Sequence, residues 1–298
     1  LKNESFWGVR VEVASAIGKV KLDQATMVLI AGLADPDPRV RRSLVNTLSG
    51  VNVYASYQAL RDLATRGDAS YYVEASAIAS LGSFATLPQP HAGDPASPSE
   101  TATANGKLDP SAILESEILP LLQAVLTTRS GWNEVVRSGA IRALGQMKQS
   151  EAALQVLLPY TELGTPQSLR LGAIRALGQI ATGQAPQGLQ AILDRLSALA
   201  REPLFLTQRA VINALGRLET RRAISILQSM SSQGGDGRIR RAADEAIQRV
   251  QKAIGESKAL QQLRTEVDQL KQQNQQLLSR LETLEAKATP APEKTTET

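Results

Sequence analysis

The sequence Val136-Arg-Ser-Gly-Ala-Ile-Arg-Ala-Leu-Gly145 returns almost unchanged as Leu169-Arg-Leu-Gly-Ala-Ile-Arg-Ala-Leu-Gly178. Looser copies of this ten-residue phrase occupy residues 9–18, 40–49, 73–82, 207–216 and 239–248. The first residues of successive copies are 31, 33, 63, 33, 38 and 32 residues apart, and 63 is close to two periods. Regular spacing of this length predicts a solenoid, in which each copy belongs to one unit that stacks on its neighbours. Such a chain usually works through a long surface.

The phrase is suited to a packed helix. At 100° per residue, four small or apolar residues share one side of the helix: Val136, Ala140, Ala143 and Leu144. Gly139 and Gly172 flank that side. A glycine inside a helix costs about 0.5–1 kcal/mol relative to alanine, so we expect a close approach by the neighbouring repeat to compensate. Gly145 and Gly178 are expected to end their helices in a left-handed cap.

Each repeat is predicted to be two antiparallel helices, with the phrase on the second. Residues 22–33 carry apolar side chains at helical spacing, and Asp35-Pro-Asp-Pro38 then ends that helix and caps the next, over 38–48. Five further pairs follow: 52–66 with 70–81, 112–128 with 133–147, 151–163 with 166–180, 186–200 with 204–217, and 219–231 with 238–250. Residues 6–20 match a second helix without a first, so we expect the parent protein to continue upstream.

The composition agrees with an all-α chain. Aromatic residues make up only 3%, Ala and Leu dominate, and no stretch alternates apolar and polar residues for long. The longest apolar run, 27–34, is far shorter than the roughly 20 residues of a spanning helix, so no membrane partner is expected. The absence of cysteine excludes disulfides and thiolate metal sites, and is compatible with a cytoplasmic, reducing compartment.

The charge is nearly balanced, with 33 basic against 29 acidic residues. The basic residues are spread over many turns and form no block in the sequence, so a nucleic-acid partner is not predicted. Arg142 and Arg175, within the two best copies, point away from the buried side of their helices. They are candidates for a binding ridge on the concave face; the alternative is that they are solvated or paired with acids of adjacent repeats.

Two segments interrupt or follow the repeats. Residues 83–110 are rich in Pro, Ser, Gly and Ala and are expected to form a flexible insertion, which explains the doubled spacing. The only histidine, His91, lies there without cysteine or clustered carboxylates, so it is not expected to bind metal. The predicted organisation is repeats over 1–82, insertion over 83–110, repeats over 111–252, coiled coil over 256–287 and disordered tail over 288–298.

The coiled coil is predicted from apolar residues that recur in alternating steps of three and four. The seam positions are Leu260, Leu263, Val267, Leu270, Asn274, Leu277, Leu281 and Leu284. Asn274 at an a position favours a parallel two-stranded register, which predicts a homodimer. The alternative is an amphipathic helix that folds back onto the solenoid.

No catalytic centre is predicted in this chain. It contains no His-Glu-x-x-His zinc motif, no glycine-rich phosphate loop and no Gly-x-Ser-x-Gly elbow. A single histidine in an insertion gives Ser-His-Asp chemistry no base. We therefore expect no catalytic residue, no metal ligand and no cofactor site within these residues.

The phrase resembles HEAT repeats of the Ala-Leu-Gly-rich kind, which implies an α-α superhelix. Two segments, Phe6-Trp-Gly-Val-Arg-Val-Glu-Val-Ala and Gly67-Asp-Ala-Ser-Tyr-Tyr-Val-Glu-Ala, further resemble the HEAT region that closes bacterial M1-family zinc aminopeptidases, as does Asp35-Pro-Asp-Pro-Arg-Val-Arg-Arg. The resemblance covers about residues 1–82. It implies a non-catalytic C-terminal part of such an enzyme, with zinc only in an upstream catalytic domain.

By the same resemblance, the helical region covers the catalytic cleft and restricts access to it. The residues that match as candidates for docking or lining this cleft are Phe6, Trp7, Arg10, Glu12, Tyr71, Tyr72 and Glu74. Packing between repeats is the alternative role for all seven. The alternative function is a stand-alone HEAT-repeat interaction scaffold, of which phycobiliprotein lyase subunits, similar in their Val-Arg-x-x-Ala-Ile-x-Ala-Leu-Gly style, are one case.

Overall fold

The computed structural model describes residues 4–20, 23–51, 53–84, 114–233 and 235–288, and every regular element in these ranges is helical. The α-helices are α1 Trp7–Ile17, α2 Asp23–Gly32, α3 Pro38–Ser49, α4 Tyr54–Arg66, α5 Tyr71–Leu81, α6 Leu119–Thr128, α7 Val135–Gln146, α8 Glu151–Leu157, α9 Gln167–Ile180, α10 Pro186–Ala200, α11 Phe205–Leu215, α12 Arg221–Gln233 and α13 Gly237–Ala288. A π-helical turn, Leu114–Ile118, precedes α6, and 3-10 turns occupy Trp132–Glu134, Leu158–Thr161 and Ala181–Gly183. The all-α prediction is confirmed.

The helices form two layers. The copies of the phrase lie on α1, α3, α5, α7, α9, α11 and the start of α13, which we call the phrase helices, and each packs against the next. The first helices, α2, α4, α6, α8, α10 and α12, each pair with the phrase helix that follows. Because α5 packs directly on α7, the array is continuous between these two helices. Residues 85–113 lie outside the described ranges and include His91 and most of the predicted insertion over 83–110, which stays a prediction. The helical repeat solenoid is therefore confirmed.

The predicted helix boundary at Asp35-Pro-Asp-Pro38 is present. The Asp37 side chain accepts a hydrogen bond from the Arg39 backbone N–H at 2.8 Å, and Pro38 is the first residue of α3. An N-cap oxygen satisfies one of the free amides at the start of a helix, and proline there lacks only an N–H that would have no helical partner. The sequence thus fixes where α3 begins.

Small residues bring the phrase helices close together. We number the phrase positions 1 to 10, with Val136 at position 1 of α7. The glycine at position 10 of one phrase helix lies against the residue at position 8 of the next, in five junctions: Gly18 with Thr47, Gly82 with Ala143, Gly145 with Ala176, Gly178 with Ala214, and Gly216 with Ala246. A Cβ on Gly178 would lie 2.6 Å from the Cα of Ala214, so a larger residue does not fit.

This contact corrects the expected role of two glycines. Gly145 and Gly178 lie inside α7 and α9 and are not left-handed caps; the glycines with positive φ in the described residues are Gly67 and Gly164. The prediction for Gly139 is confirmed, since a Cβ there would lie 2.5 Å from the Ala75 carbonyl oxygen. The prediction for Gly172 is wrong, because its nearest neighbour would lie at an ordinary 3.5 Å.

The last helix, α13, serves two regions. Its start belongs to the final repeat, where Ile239, Ala243, Ala246 and Val250 are buried. Farther along, Val267, Leu270 and Leu277 are 42–59% exposed, so they do not fold back onto the solenoid. Asn274 is exposed too. The other seam positions (Leu260, Leu263, Leu281 and Leu284) have side chains outside the description. The coiled coil therefore stays a prediction. Among the described helices, none is long and apolar enough to cross a membrane.

Candidate functional site

Ion pairs join neighbouring repeats along one edge of the solenoid. Arg10, at position 2 of α1, donates from Nε and Nη2 to the two carboxylate oxygens of Asp35, at 2.9 and 3.1 Å. Arg41, at position 2 of α3, makes the same fork to Asp68, at 2.9 and 2.7 Å. We call each such pair, between position 2 and the linker before the next phrase helix, a rung. The planar guanidinium matches a carboxylate through two parallel hydrogen bonds, so a rung fixes both distance and orientation.

The second rung lowers the pKa of its acid, Asp68. Burial alone raises the pKa of Asp68, but hydrogen bonds from Arg41 and from the Ser70 backbone N–H outweigh it and hold the pKa below the usual range of an aspartate. Asp68 is therefore held as a carboxylate across the neutral and mildly acidic range.

The third rung has its charges reversed. Position 2 of α5 is Glu74, which is only 4% exposed, and its Oε1 lies 3.6 Å from Nη1 of Arg129 in the linker before α7. At this distance the two groups form an ion pair but no hydrogen bond, and Glu74 Oε1 accepts no hydrogen bond from any other described residue. Glu74 and Arg10 thus contribute to packing between repeats.

A further rung joins α9 to the linker before α11. Nη2 of Arg170 donates to both oxygens of Glu202, at 2.6 and 2.8 Å, and its Nε donates to the Thr161 carbonyl at 2.8 Å. Arg170 is only 5% exposed. Because the charge of Arg170 is almost completely removed from water, its hydrogen bonds must offset a larger desolvation cost than those of the surface ion pairs elsewhere.

The other candidate docking residues lie at the surface or between repeats. The Trp7 ring lies under the guanidinium of Arg39, 3.8 Å from the ring centroid, so it packs against the next repeat. Phe6 is 57% exposed, and Glu12 is exposed as well. Tyr71 and Tyr72 are about half exposed (52% and 48%) at the start of α5.

Tyr72 of α5 forms an aromatic pair with Trp132, a residue that no sequence pattern singled out. Tyr72 meets Trp132 edge to face, with ring centroids 6.4 Å apart, and the Arg42 guanidinium lies 5.7 Å from the Tyr72 ring. Trp132 is 59% exposed, and the two residues after it, Asn133 and Glu134, both have positive φ. Backbone strain of this kind costs on the order of 1–3 kcal/mol per residue and is commonly retained at binding sites. Trp132 lies in an irregular linker, so no periodicity in the sequence pointed to it.

The exposed side of the phrase helices is basic. Helices α3, α7, α9 and α11 contain no Asp or Glu, and the only acid of α5, Glu74, is buried. Exposed arginines occupy positions 3 and 7, which share one side of a helix: Arg42, Arg142, Arg175 and Arg209, the arginine face. No carboxylate of the described residues lies within ion-pair distance of these four. The four arginines thus occupy matching positions on α3, α7, α9 and α11, and Arg42 is close enough to Arg142 to act on its charge.

Arg142 carries a partly desolvated positive charge. Its side chain is open to solvent, yet many protein atoms surround it, and this partial desolvation is the larger cause that lowers the pKa of its guanidinium. The positive charge of Arg42 lowers it further. Two arginines therefore share one side of the array without an acid between them, which favours an anionic partner.

The family follows from these repeats and from sequence comparison together. The sequence pattern of HEAT repeats matches residues 1–82, 91–178 and 161–248, which is most of the chain. The chain belongs to the HEAT-repeat family. A search among curated protein sequences gave no match.

The solved structures to which this chain is similar are distant in sequence. The complex of CpcE and CpcF of phycocyanin lyase from Nostoc sp. PCC7120 is 16% identical, covering 83% of this chain and 91% of that chain, with a TM-score of 0.45. Human deoxyhypusine hydroxylase is 19% identical, covering 84% and 82%, with a TM-score of 0.37. A designed armadillo repeat protein in complex with the peptide (KR)4 is 15% identical, covering 74% and 98%, with a TM-score of 0.42.

Within the described HEAT repeats, no three His, Cys, Asp or Glu side chains come together as a metal site. Most acids on the repeat edge are engaged in rungs or helix caps. The arginine face and the aromatic pair beside it are two exposed surfaces on which a partner could bind.

Proposed function

We propose that this HEAT-repeat protein is a non-catalytic interaction scaffold that holds an acidic segment of a partner protein on its arginine face. One observation carries the proposal: of the five phrase helices from α3 to α11, all but α5 expose an arginine of the arginine face, and none of the five exposes a carboxylate. HEAT and armadillo repeats generally mediate contacts between proteins, so we expect a partner protein to bind on this surface.

The chemistry of the face favours carboxylates. A guanidinium presents two parallel N–H donors, and its hydrogen bonds to a carboxylate are about twice as strong as neutral ones. Arg142 and Arg175 occupy position 7 of adjacent phrase helices, and those helices touch through Gly145 and Ala176. Helices in such contact lie about 8–10 Å apart, so an extended segment can reach both arginines.

The aromatic pair offers an apolar anchor next to these charges. Tyr72 contacts both Arg42 and Trp132, and the two rings are about half exposed. Tyrosine, tryptophan and arginine are the residues that most often dominate the binding energy of protein interfaces. A partner with an apolar residue beside its acidic run therefore fits this end of the face.

Two narrower functions from the sequence remain hypotheses. An M1-type aminopeptidase with zinc in an upstream catalytic domain rests on the resemblance of residues 1–82 alone. A phycobiliprotein lyase subunit-like role agrees with the scaffold reading, and a cytoplasmic location fits either one. The upstream reading frame separates them, because a His-Glu-x-x-His with a distal Glu supports only the peptidase.

The double variant Arg142→Glu/Arg175→Glu is expected to weaken binding of a labelled poly-glutamate peptide at least about tenfold, because two attractive charges become repulsive. Fluorescence anisotropy at several salt concentrations measures this loss. The matched control is Arg66→Glu/Arg221→Glu, an equal charge change on first helices, and it should retain binding. Equal losses in both double variants, or tighter binding of poly-dT than of poly-glutamate by the original chain, would contradict the proposal.

Removal of residues 256–298 is expected to convert a dimer into a monomer, because it deletes the whole predicted seam while the last repeat keeps Val250. Static light scattering of both proteins reports the mass directly. Helicity in proportion to chain length shows that the repeats remain folded. The same number of chains per particle for the two proteins would rule out the coiled-coil dimer.

A further inference from the structure

The exposed apolar residues of the inner repeats gather in two places. Over the described part of residues 34–250, six large apolar side chains are 48–73% exposed: Tyr71, Tyr72, Trp132, Leu163, Leu204 and Leu206. Tyr71 lines a cleft together with Trp132 of the aromatic pair. The three leucines, which we call the leucine cluster, line a separate groove. Single exposed apolar residues are common on protein surfaces, whereas clustered ones mark a surface that binds a partner.

The leucine cluster is built from the linkers of two neighbouring repeats. Leu163 lies in the linker before α9, and Leu204 and Leu206 flank Phe205, the first residue of α11. Gly164 follows Leu163 with a φ of 93°, a left-handed conformation that glycine adopts without strain. The groove between the two linkers has a volume of about 340 Å3. It is large enough to hold one apolar side chain of a partner.

The walls of this groove are fixed by contacts within the array. Arg170 contributes to the lining, and its hydrogen bonds to Glu202 and to the Thr161 carbonyl hold it in place. The ring of Phe205 packs under the guanidinium of Arg238, which lies 4.3 Å from the ring centroid. Because these side chains are already ordered, a partner that enters the groove loses little affinity to the cost of ordering them.

Both apolar sites border the arginine face. The ring of Tyr72 lies 5.7 Å from the Arg42 guanidinium. Leu206 precedes Arg209 by three residues on α11, so these two side chains are neighbours on one side of that helix. Between the two sites, α7 and α9 contribute the other two arginines of the face. Along the array, a basic stretch is therefore flanked by an apolar site on each side.

The stacking of α7, α9 and α11 sets the distance between the two apolar sites. Trp132 lies in the linker before α7 and Leu204 in the linker before α11, while α9 packs between these two helices. Packed helices lie about 8–10 Å apart, so two steps separate the sites by about 16–20 Å. An extended segment advances about 3.3 Å per residue, so about six residues cover this distance. Since successive side chains alternate, two residues with about five between them point to the same side.

We infer that the partner's acidic segment carries an apolar residue at each end, with about five residues between the two, and that the aromatic pair and the leucine cluster bind these end residues. This inference rests on the proposed function, because the acidic residues between the ends are those that the arginine face binds. No carboxylate of the described residues lies within ion-pair distance of Arg142 or Arg175, so both are open to such a run. The apolar ends add affinity, and their spacing adds specificity, because a shorter segment reaches only one site.

The test compares the binding of labelled peptides to the full chain by fluorescence anisotropy. Each peptide is a run of about two, five or nine glutamates with either leucine or serine at both ends. At about five glutamates, leucine ends are expected to tighten binding at least about tenfold over serine ends, and much less at the other lengths, because only this length lets both leucines leave water. The gain from leucine should persist at high salt, whereas the contribution of the glutamates should fall.

Variants of the leucine cluster identify the second apolar site. Leu204→Ser/Leu206→Ser should lower the affinity for the leucine-ended peptide at least about threefold and leave that for the serine-ended peptide unchanged. Leu163→Ser changes a linker side chain that is 73% exposed, and it should show a smaller loss of the same kind even if the double variant loses helicity. The matched control is Met27→Ser/Val28→Ser on α2, where the two side chains are 57% and 47% exposed. It should keep the full gain from leucine.

The outcomes separate this inference from the proposed function. Equal affinities for leucine-ended and serine-ended peptides, or a gain from leucine that is the same at every length, overturn this inference alone. A gain that survives unchanged in the leucine-cluster variants overturns it too, because the end residue then binds elsewhere. If Arg142→Glu/Arg175→Glu binds the serine-ended peptide as tightly as the original chain does, the proposed function fails and this inference fails with it.

Discussion

Replacing Arg170 with leucine is expected to lower the free energy of unfolding by about 3–5 kcal/mol. Arg170 is 5% exposed, and its guanidinium supplies hydrogen bonds to both Glu202 oxygens and to the Thr161 carbonyl. Leucine fills part of the space but leaves the Glu202 carboxylate, whose side chain is only 22% exposed, without a counter-ion, and leaves the Thr161 carbonyl without its donor. An unpaired charge away from water is costly, so the loss should approach that of a broken buried ion pair. Urea unfolding followed by circular dichroism measures it.

Arg241→Leu is the matched control. Arg241 also pairs with a glutamate, Glu245, with 3.0 Å between Nε and Oε1, but the two side chains are 84% and 59% exposed. Water and salt screen such a pair, so its loss should change the free energy of unfolding by at most about 0.5 kcal/mol. Similar losses for both variants would show that the Arg170 rung contributes no more than a surface pair.

Alanine at two equivalent glycines is expected to have opposite effects. Gly139 and Gly172 both occupy position 4 of nearly identical phrases. A Cβ at Gly139 would lie 2.5 Å from the Ala75 carbonyl oxygen, so α5 and α7 must separate; overpacking of this kind costs about 1–3 kcal/mol. At Gly172 the nearest atom is Ile141 Cγ2 at 3.5 Å, so alanine fits there and should stabilise α9 by about 0.5–1 kcal/mol.

Thermal unfolding of the two single variants tests this contrast. Gly139→Ala should melt below the original chain and Gly172→Ala above it. The two substitutions share chemistry, phrase position and helical setting, so only the approach of the preceding helix differs. A shift of the same sign in both proteins would mean that this approach does not limit residue size at position 4.

The periodicity of the sequence predicts the architecture because each repeat buries the same stripe. Val136, Ala140 and Leu144 lie on one helical side, and all are buried. The role of the position-10 glycines was mispredicted, since a local rule for helix ends competed with a contact to the next repeat. A glycine before a linker signals either role; only the packed array shows that Gly178 contacts Ala214.

Helical periodicity also made part of the arginine face predictable. Arg142 and Arg175 could be placed on an exposed side from helical spacing alone. Their association with Arg42 and Arg209 depends on how the helices stack, and acids that look plentiful in the sequence lie in linkers and on other helices. The reversed rung and the outward Trp132 come from irregular linkers, where no periodicity guides prediction.

The reversed rung also sets the order in which repeats can associate. Copies as alike as those on α7 and α9 could in principle stack in the wrong sequence during folding. If α5 met the linker of the α11 repeat, Glu74 would face Glu202; if α9 met the linker of the α7 repeat, Arg170 would face Arg129. Both mismatches place like charges together in a partly desolvated site. One inverted pair thus penalises arrays in which α5 stacks on the α11 linker or α9 on the α7 linker.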